Sequence, residues 1–337
     1  MNALSWPEVN GAIDSIQIYA ANPLILLAVF VAASFLMIWR LQAMETKGFE
    51  GTVLGTLIMP YCSGFANLVF AYVMSSSASN GGLVVENAIV NNATNLTLIL
   101  GLAVVLGAAP AVRKGNARQK NHADFHRINR LNLLFTLIAL FLFTGTLWAL
   151  AKDGVLDFYD GLVLVGLFVF WQILHVFEIL KDNIRKNKTF HWSIALDLML
   201  IAASAYGIYF AVDHLVGWVS KAEGQFFNYA NLGWLSGWLM VLPNAFLAVY
   251  FSRVGRQDIV LSSQIGDGHI CIPMGIGMFS LFNPIQVPAF FQTGAYVILG
   301  AGAVHFLSIA FVGRVPRFLG VGLIGAYGFF LYQGIIQ

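Results

Sequence analysis

The chain has 337 residues, 58% of them hydrophobic and 10% charged, with a mean hydropathy of +0.76 and a formal net charge of +2. Soluble domains run at about 45–50% apolar and about 25% charged, so a water-soluble fold is excluded and the chain reads as a polytopic membrane protein. So small a net charge carries no nucleic-acid reading, and Cys62 and Cys271, both in apolar runs, support neither a disulfide framework nor a paired-cysteine metal site.

A bilayer core of about 30 Å takes about 20 apolar residues per helix. Ten stretches meet that length: 17–40, 51–76, 82–109, 129–151, 157–181, 191–216, 228–252, 259–282, 288–312 and 315–335. Glu8 and Asp14 precede the first with no Lys or Arg, so a cleavable signal peptide is not expected. Turn signals separate the stretches, among them Asn80-Gly81-Gly82, Gly115-Asn116, Asp153-Gly154 and Asn283-Pro284. Alternate connections collect the charge. Arg40 and Lys47 follow the first span, and Arg113, Lys114, Arg118, Lys120, Arg127 and Arg130 follow the third. Lys181, Arg185, Lys186 and Lys188 follow the fifth, Arg253 and Arg256 the seventh, Arg314 and Arg317 the ninth. That is sixteen of the eighteen basic residues, with only Lys152 and Lys221 on the other side. Lys and Arg mark cytoplasmic loops, so both termini are expected outside.

The segment 182–190 divides the chain into 1–181 and 191–337, with five spans in each part. An odd number of spans per half inverts the second half, as in many secondary transporters. The expected fold is therefore all-α, with ten transmembrane helices in two inverted-topology repeats. The two halves also match locally: GFANLVFAYV (64–73) lies on LPNAFLAVYF (242–251), pairing Asn67 with Asn244. ENAIVNNATN (86–95) lies on SSQIGDGHIC (262–271), pairing Asn87 with Ser263, Asn91 with Asp267 and Asn95 with Cys271. Spacing of i, i+4, i+8 puts each set on one helical face. Pro243, Pro273 and the nearby glycines lead us to expect breaks in the second, third, seventh and eighth helices, around one cavity.

Asp267 is the sharpest single residue, because an intramembrane carboxylate is expensive unless paired, hydrated or ion-bound. His269, two residues on, falls on a different helix face and suits a packing role. Glu86 reads as a solvated helix end, His175 and Glu178 as interfacial, and His305 as structural. Asp197 is expected to pair with a neighbouring helix. The basic loop 110–127 is explained as a topology anchor, with attraction to anionic lipid as an addition. No HExxH, no GxSxG and no carboxylate pair at matching depth is present, so an enzyme is not expected.

ENAIVNNATNLTLILGLA (86–103) resembles the first signature of the calcium/cation antiporter superfamily, roughly GNVVGSNIFNILLVLGLA, the group that contains the sodium/calcium exchangers. Asn87, Asn92, Asn95 and Gly101-Leu102-Ala103 coincide with it, and SSQIGDGHICIPMGIG (262–277) keeps Gly266. Of the second signature, GTSLPE, the second half keeps Leu242-Pro243 with Asn244 at the glutamate position, and Asn67 best fits that position in the first half. The resemblance implies an antiporter with alternating access around a midplane cation site. Carried over by position, the cation-binding residues are Asn67, Asn91, Asn95, Asn244, Asp267 and Cys271, with Asp267 and Asn95 the metal ligands and Asn87, Ser263 and His269 in support.

Both signature glutamates are asparagine here. Calcium prefers six to eight oxygens with carboxylate countercharge, and this set carries one negative charge, so a monovalent cation or proton is the expected preference. No cofactor is expected. The bound cation (sodium, calcium or proton) is substrate, and the partners are the lipid bilayer and inorganic cations, with a second copy or a partner subunit also compatible. The expected location is an integral multi-pass position, the cytoplasmic (inner) membrane if the source is bacterial. The alternative is a transport-inactive scaffold or partner subunit with the same fold.

Overall fold

The computed structural model describes residues 22–46, 59–76, 80–106, 119–183, 193–254 and 257–336. These residues form helical rods: α1 (Pro23–Thr46), α2 (Met59–Met74), α3 (Gly81–Leu106), α4 (Gln119–Leu150), α5 (Phe158–Asn183), α6 (Ser193–Ser220), α7 (Leu232–Val254), α8 (257–280), α9 (Phe291–Val312) and α10 (317–336). The extended backbone among them is a two-residue pair, β1 (Val155–Leu156) antiparallel to β2 (Ile285–Gln286), joining the α4–α5 and α8–α9 connections. Seven of the rods (α1, α3, α4, α6, α7, α9 and α10) contain stretches long and apolar enough to cross a membrane. The apolar stretches described in α2 and α5, Gly64–Met74 and Phe158–Leu174, are shorter.

Polarity is distributed as a bilayer demands. Trp39, Phe170, Phe246, Phe311 and Phe318 are exposed on the outside, while Asn91, Asn95 and Asp267 are fully buried. A soluble protein does the reverse with its charged groups. These exposed aromatic side chains therefore suit a lipid-facing surface, and a group of buried polar ones gathers where α3 and α8 meet.

Packing repeats when rods one to five are exchanged for six to ten. α3 packs against α7, α9 and α10, and α8 packs against α2, α4 and α5. α1 lies along α6, and α4 along α9. The local devices repeat too. Gly154 ends the α4 segment at φ 87° and Gly313 ends α9 at φ 76°, a left-handed conformation that only glycine adopts freely. A Cβ on Gly101 would sit 2.8 Å from Gly320 O, and one on Gly277 would sit 2.9 Å from Leu164 Cβ, beside Gly161. Small residues thus set the α3–α10 and α5–α8 crossings, where helices approach to backbone distance.

Among the described residues, the expected helix breaks are realised in two of the four helices, as π-helical stretches. α3 holds a π-helical stretch at Thr94–Ile99 and α8 one at Cys271–Ile276. The causes differ. In α8, Pro273 has no N–H to close an ordinary turn. In α3, the hydroxyls of Thr94 and Thr97 donate to Val90 O and Ala93 O one turn back, and such back-bonding perturbs the helical ladder. α7 runs unbroken through Pro243, and α2 is continuous over its described length. In a membrane helix proline is tolerated without a break; separately, Gln264 Nε2 reaches Asn244 O at 3.4 Å and ties α8 to α7.

Asp197 pairs with Arg40 at 3.5 Å, tying α6 to α1. His305 donates through Nε2 to Leu96 O in the α3 π stretch at 2.9 Å, the structural role expected of it. Glu86 is half-buried against α7 rather than solvated: a Cβ on Gly233 would lie 2.5 Å from its Oε2. Residues 1–21, most of the linker 182–190, residues 110–118 of the basic loop 110–127, and the side chains of Cys62, His175 and Glu178 lie outside the described residues, while 119–127 begin α4.

Candidate functional site

Asp267 is the centre of a buried polar cluster between α3, α7 and α8. Asn95 Nδ2 donates to Asp267 Oδ2 at 2.9 Å, and with its other hydrogen to Asn91 Oδ1 at 2.8 Å. Asn244 Nδ2 approaches the same carboxylate oxygen from α7 at 3.4 Å. Asn91 Nδ2 in turn donates to Cys271 Sγ at 3.6 Å. Asp267, Asn95, Asn91 and Cys271 are therefore one hydrogen-bonded chain that crosses from α8 to α3 and back. The helical period produces it: Asn91 and Asn95 are one turn apart on α3, as are Asp267 and Cys271 on α8.

An isolated carboxylate at mid-bilayer carries a penalty of about 2.5–3.5 kcal/mol on insertion scales. A hydrogen bond to a charged group returns about 1.5–3 kcal/mol. The 2.9 Å bond from Asn95 thus offsets much of the penalty, while the 3.4 Å approach of Asn244 is too long to add a full bond.

The amide oxygens are the other half of the site. Asn95 Oδ1, Asn92 Oδ1, Gln264 Oε1 and both amide atoms of Asn67 are buried with no hydrogen-bond partner among the described residues. Buried polar atoms rarely stay unpaired, and these lie on α8, which carries the carboxylate, and on α2 and α3, which pack against it. A half-turn of an amide exchanges its N–H₂ for its oxygen, so each asparagine can present either end. Gly268 lets α8 come close to Asn92, whose Oδ1 would lie 2.5 Å from a Cβ there. Among the described residues no three His, Cys, Asp or Glu side chains gather into a metal-binding group. A cation shell here must be built mainly from amides.

Hydrogen bonds thus join five of the sequence-derived positions: Asn91, Asn95, Asn244, Asp267 and Cys271. Asn67 is buried on α2, one turn from Gly64, whose missing side chain lets α2 close on Ile270 beside Cys271. Asn87 lies further along α3 and donates to Ser236 Oγ on α7 at 2.9 Å. Ser263 donates to Val260 O at 3.1 Å, within its own helix. His269 faces away from the cluster, with Nε2 donating to Thr136 O on α4 at 2.8 Å and its ring edge-on to Phe143 and Trp171.

Two residues escaped the sequence reading, Gln264 and Asn92. Gln264 stands one turn before Asp267 and is fully buried, so the i, i+3 spacing was the available signal. Asn92 was visible only as a signature match. The position of Asn95 is fixed from behind by Thr94, whose hydroxyl reaches Tyr327 Oη at 3.3 Å, and Tyr327 accepts from Trp238 Nε1 at 2.8 Å.

A family model described as "Sodium/calcium exchanger protein" matches residues 21–177 and 196–335. Solved structures of the sodium-calcium exchanger NCX_Mj share the fold at low identity. The form soaked with 2.5 mM Na+ and 10 mM Sr2+ superposes with a TM-score of 0.65 at 18% identity, covering 92% of this chain and 96% of that one. The form soaked with 100 mM Na+ and 10 mM Sr2+ gives 0.66 at 17% identity, covering 93% and 97%. The form with zero Na+ and Ca2+ gives 0.62 at 17%, covering 92% and 96%. No curated protein sequence matches the chain.

Proposed function

The chain belongs to the sodium/calcium exchanger family and is a multi-pass membrane cation antiporter, and from that premise we propose that it exchanges a monovalent cation against protons at Asp267. Residues 1–181 and 191–337 are the two inverted repeats, ten spans in all with both termini outside, and 182–190 is the cytoplasmic linker. The exchanged packing, the paired glycine devices and the two family-matched stretches on either side of the linker support this arrangement.

The observation that carries the ion assignment is the hydrogen-bonded centre itself, in which one carboxylate, Asp267, is held by amides. A monovalent cation makes that site neutral. A hard divalent ion would leave a net positive charge buried, at a penalty of several kcal/mol after relaxation. Asn67, Asn91, Asn95 and Asn244 supply neutral oxygens, and Asp267 with Asn95 forms the inner pair. Cation and proton compete for the same carboxylate, so at low pH the site is neutral and takes no ion. Exchange follows if the neutralised forms reorient across the membrane and the bare charged form does not.

Thermal unfolding of the protein in detergent, scanned over sodium, potassium, calcium and pH, tests the assignment. Stabilisation by sodium or potassium that fades on acidification is expected. Stabilisation by calcium alone would reject the ion assignment, and no stabilisation by any cation would favour a transport-inactive scaffold.

A further inference from the structure

Cys271 does not fit a site for hard cations. Its thiol is fully buried, lies one helical turn from Asp267, and is bound by the amide of Asn91, itself held to Asn95 and so to the carboxylate. A sulfur ligand discriminates against sodium and calcium and selects borderline or soft metals. The unpartnered, wholly buried Oδ1 of Asn95 belongs to the amide that bridges Asp267 and Asn91, so an oxygen ligand stands within the same cluster.

We propose that the cluster is also a site for a thiophilic divalent cation, held by Cys271 Sγ, an Asp267 carboxylate oxygen and Asn95 Oδ1. The proposal rests on the cluster being the cation site, and it follows from the charge argument above. A hard divalent ion finds one negative charge and is refused. A thiophilic ion generates the second charge itself. As the sulfur–metal bond forms, the S–H bond breaks and its proton leaves to water, because the thiolate is the ligand and metal binding displaces the proton. The filled site then holds a doubly charged cation against thiolate and carboxylate, and is neutral. One proton is released for each metal bound. Asn91 is the positioning residue, since its amide holds the sulfur and its own oxygen holds Asn95.

Cadmium tests this on the full chain in detergent, read by the ultraviolet charge-transfer band of a thiolate–cadmium bond and by proton release in weak buffer. The wild type and Cys62→Ser are expected to show the band and to release one proton per cadmium, and Cys271→Ser to show neither. No band in the wild type, or a band that persists in Cys271→Ser, overturns the proposal. The Cys62→Ser result decides even if Cys271→Ser fails to fold, because Cys271 is then the one thiol in the chain. Sodium-dependent thermal stabilisation of the same preparation separates the two readings. If sodium stabilises and cadmium gives no band, only this inference fails; if neither acts, the cation site itself is wrong.

Discussion

At the residue scale the chemistry turns on one carboxylate and the amides around it. Asn244 is nearest the charge among the positions where the family signature has glutamate, at 3.4 Å from Asp267 Oδ2. Asn244→Glu adds a second negative charge there and should shift the stabilising cation from sodium toward calcium, measured as the midpoint shift on titrating each ion. A calcium response no larger than that of the wild type would count against the site. Arg40 and Asp197 offer a different kind of test. Asp197 is fully buried and Arg40 slightly exposed. Removing one partner of a buried pair costs about 3–5 kcal/mol, and the partial exposure of Arg40 argues for the lower end. Arg40→Ala should therefore lower the thermal midpoint by several degrees, and Arg40→Met with Asp197→Leu should recover most of the loss. Equal losses in the single and double variants would show that the pair does not couple α1 to α6.

At the element scale the π stretches in α3 and α8 and the glycine crossings beside them hold the polar faces in register. Gly101 meets Gly320 O at 2.8 Å from where a Cβ would be, and a carbonyl on a packed helix cannot move aside cheaply. Overpacking of this kind costs about 1–3 kcal/mol. Gly101→Ala and Gly277→Ala should both lower the thermal midpoint, while Gly322→Ala, where nothing lies within 4 Å, should not. Equal effects at all three would remove these crossings from the account. The sequence made much of this scale legible. The polar positions of α3 and α8 repeat every fourth residue, so their faces and their pairing could be read directly. The π stretch at Thr94–Ile99 could not, because no proline marks it and threonine back-bonding to the preceding turn also occurs in regular helices. Pro243 misled because a proline inside a membrane helix does not by itself break it, and α7 runs continuously through it. The partner of Asp197 was hidden because Arg40 lies 157 positions away, and only the α1–α6 packing brings them together.

At the scale of the whole molecule, charge placement and packing both support the proposed inverted ten-span arrangement. Sixteen of eighteen basic residues fall on alternate connections, and the rods pack in exchanged pairs about α3 and α8. Single cysteines introduced at residues 3 and 186 in a cysteine-free background should label from opposite faces of sealed vesicles. Labelling from the same face would contradict the ten-span topology.

The central claim is that this fold moves a monovalent cation through one titratable carboxylate. Sodium uptake into proteoliposomes across a range of pH, for the wild type and Asp267→Asn, addresses it most directly. The account predicts wild-type uptake that falls as the medium is acidified, and an Asp267→Asn protein that folds but shows no cation-dependent uptake. Sodium flux that survives Asp267→Asn with its pH profile unchanged would contradict it.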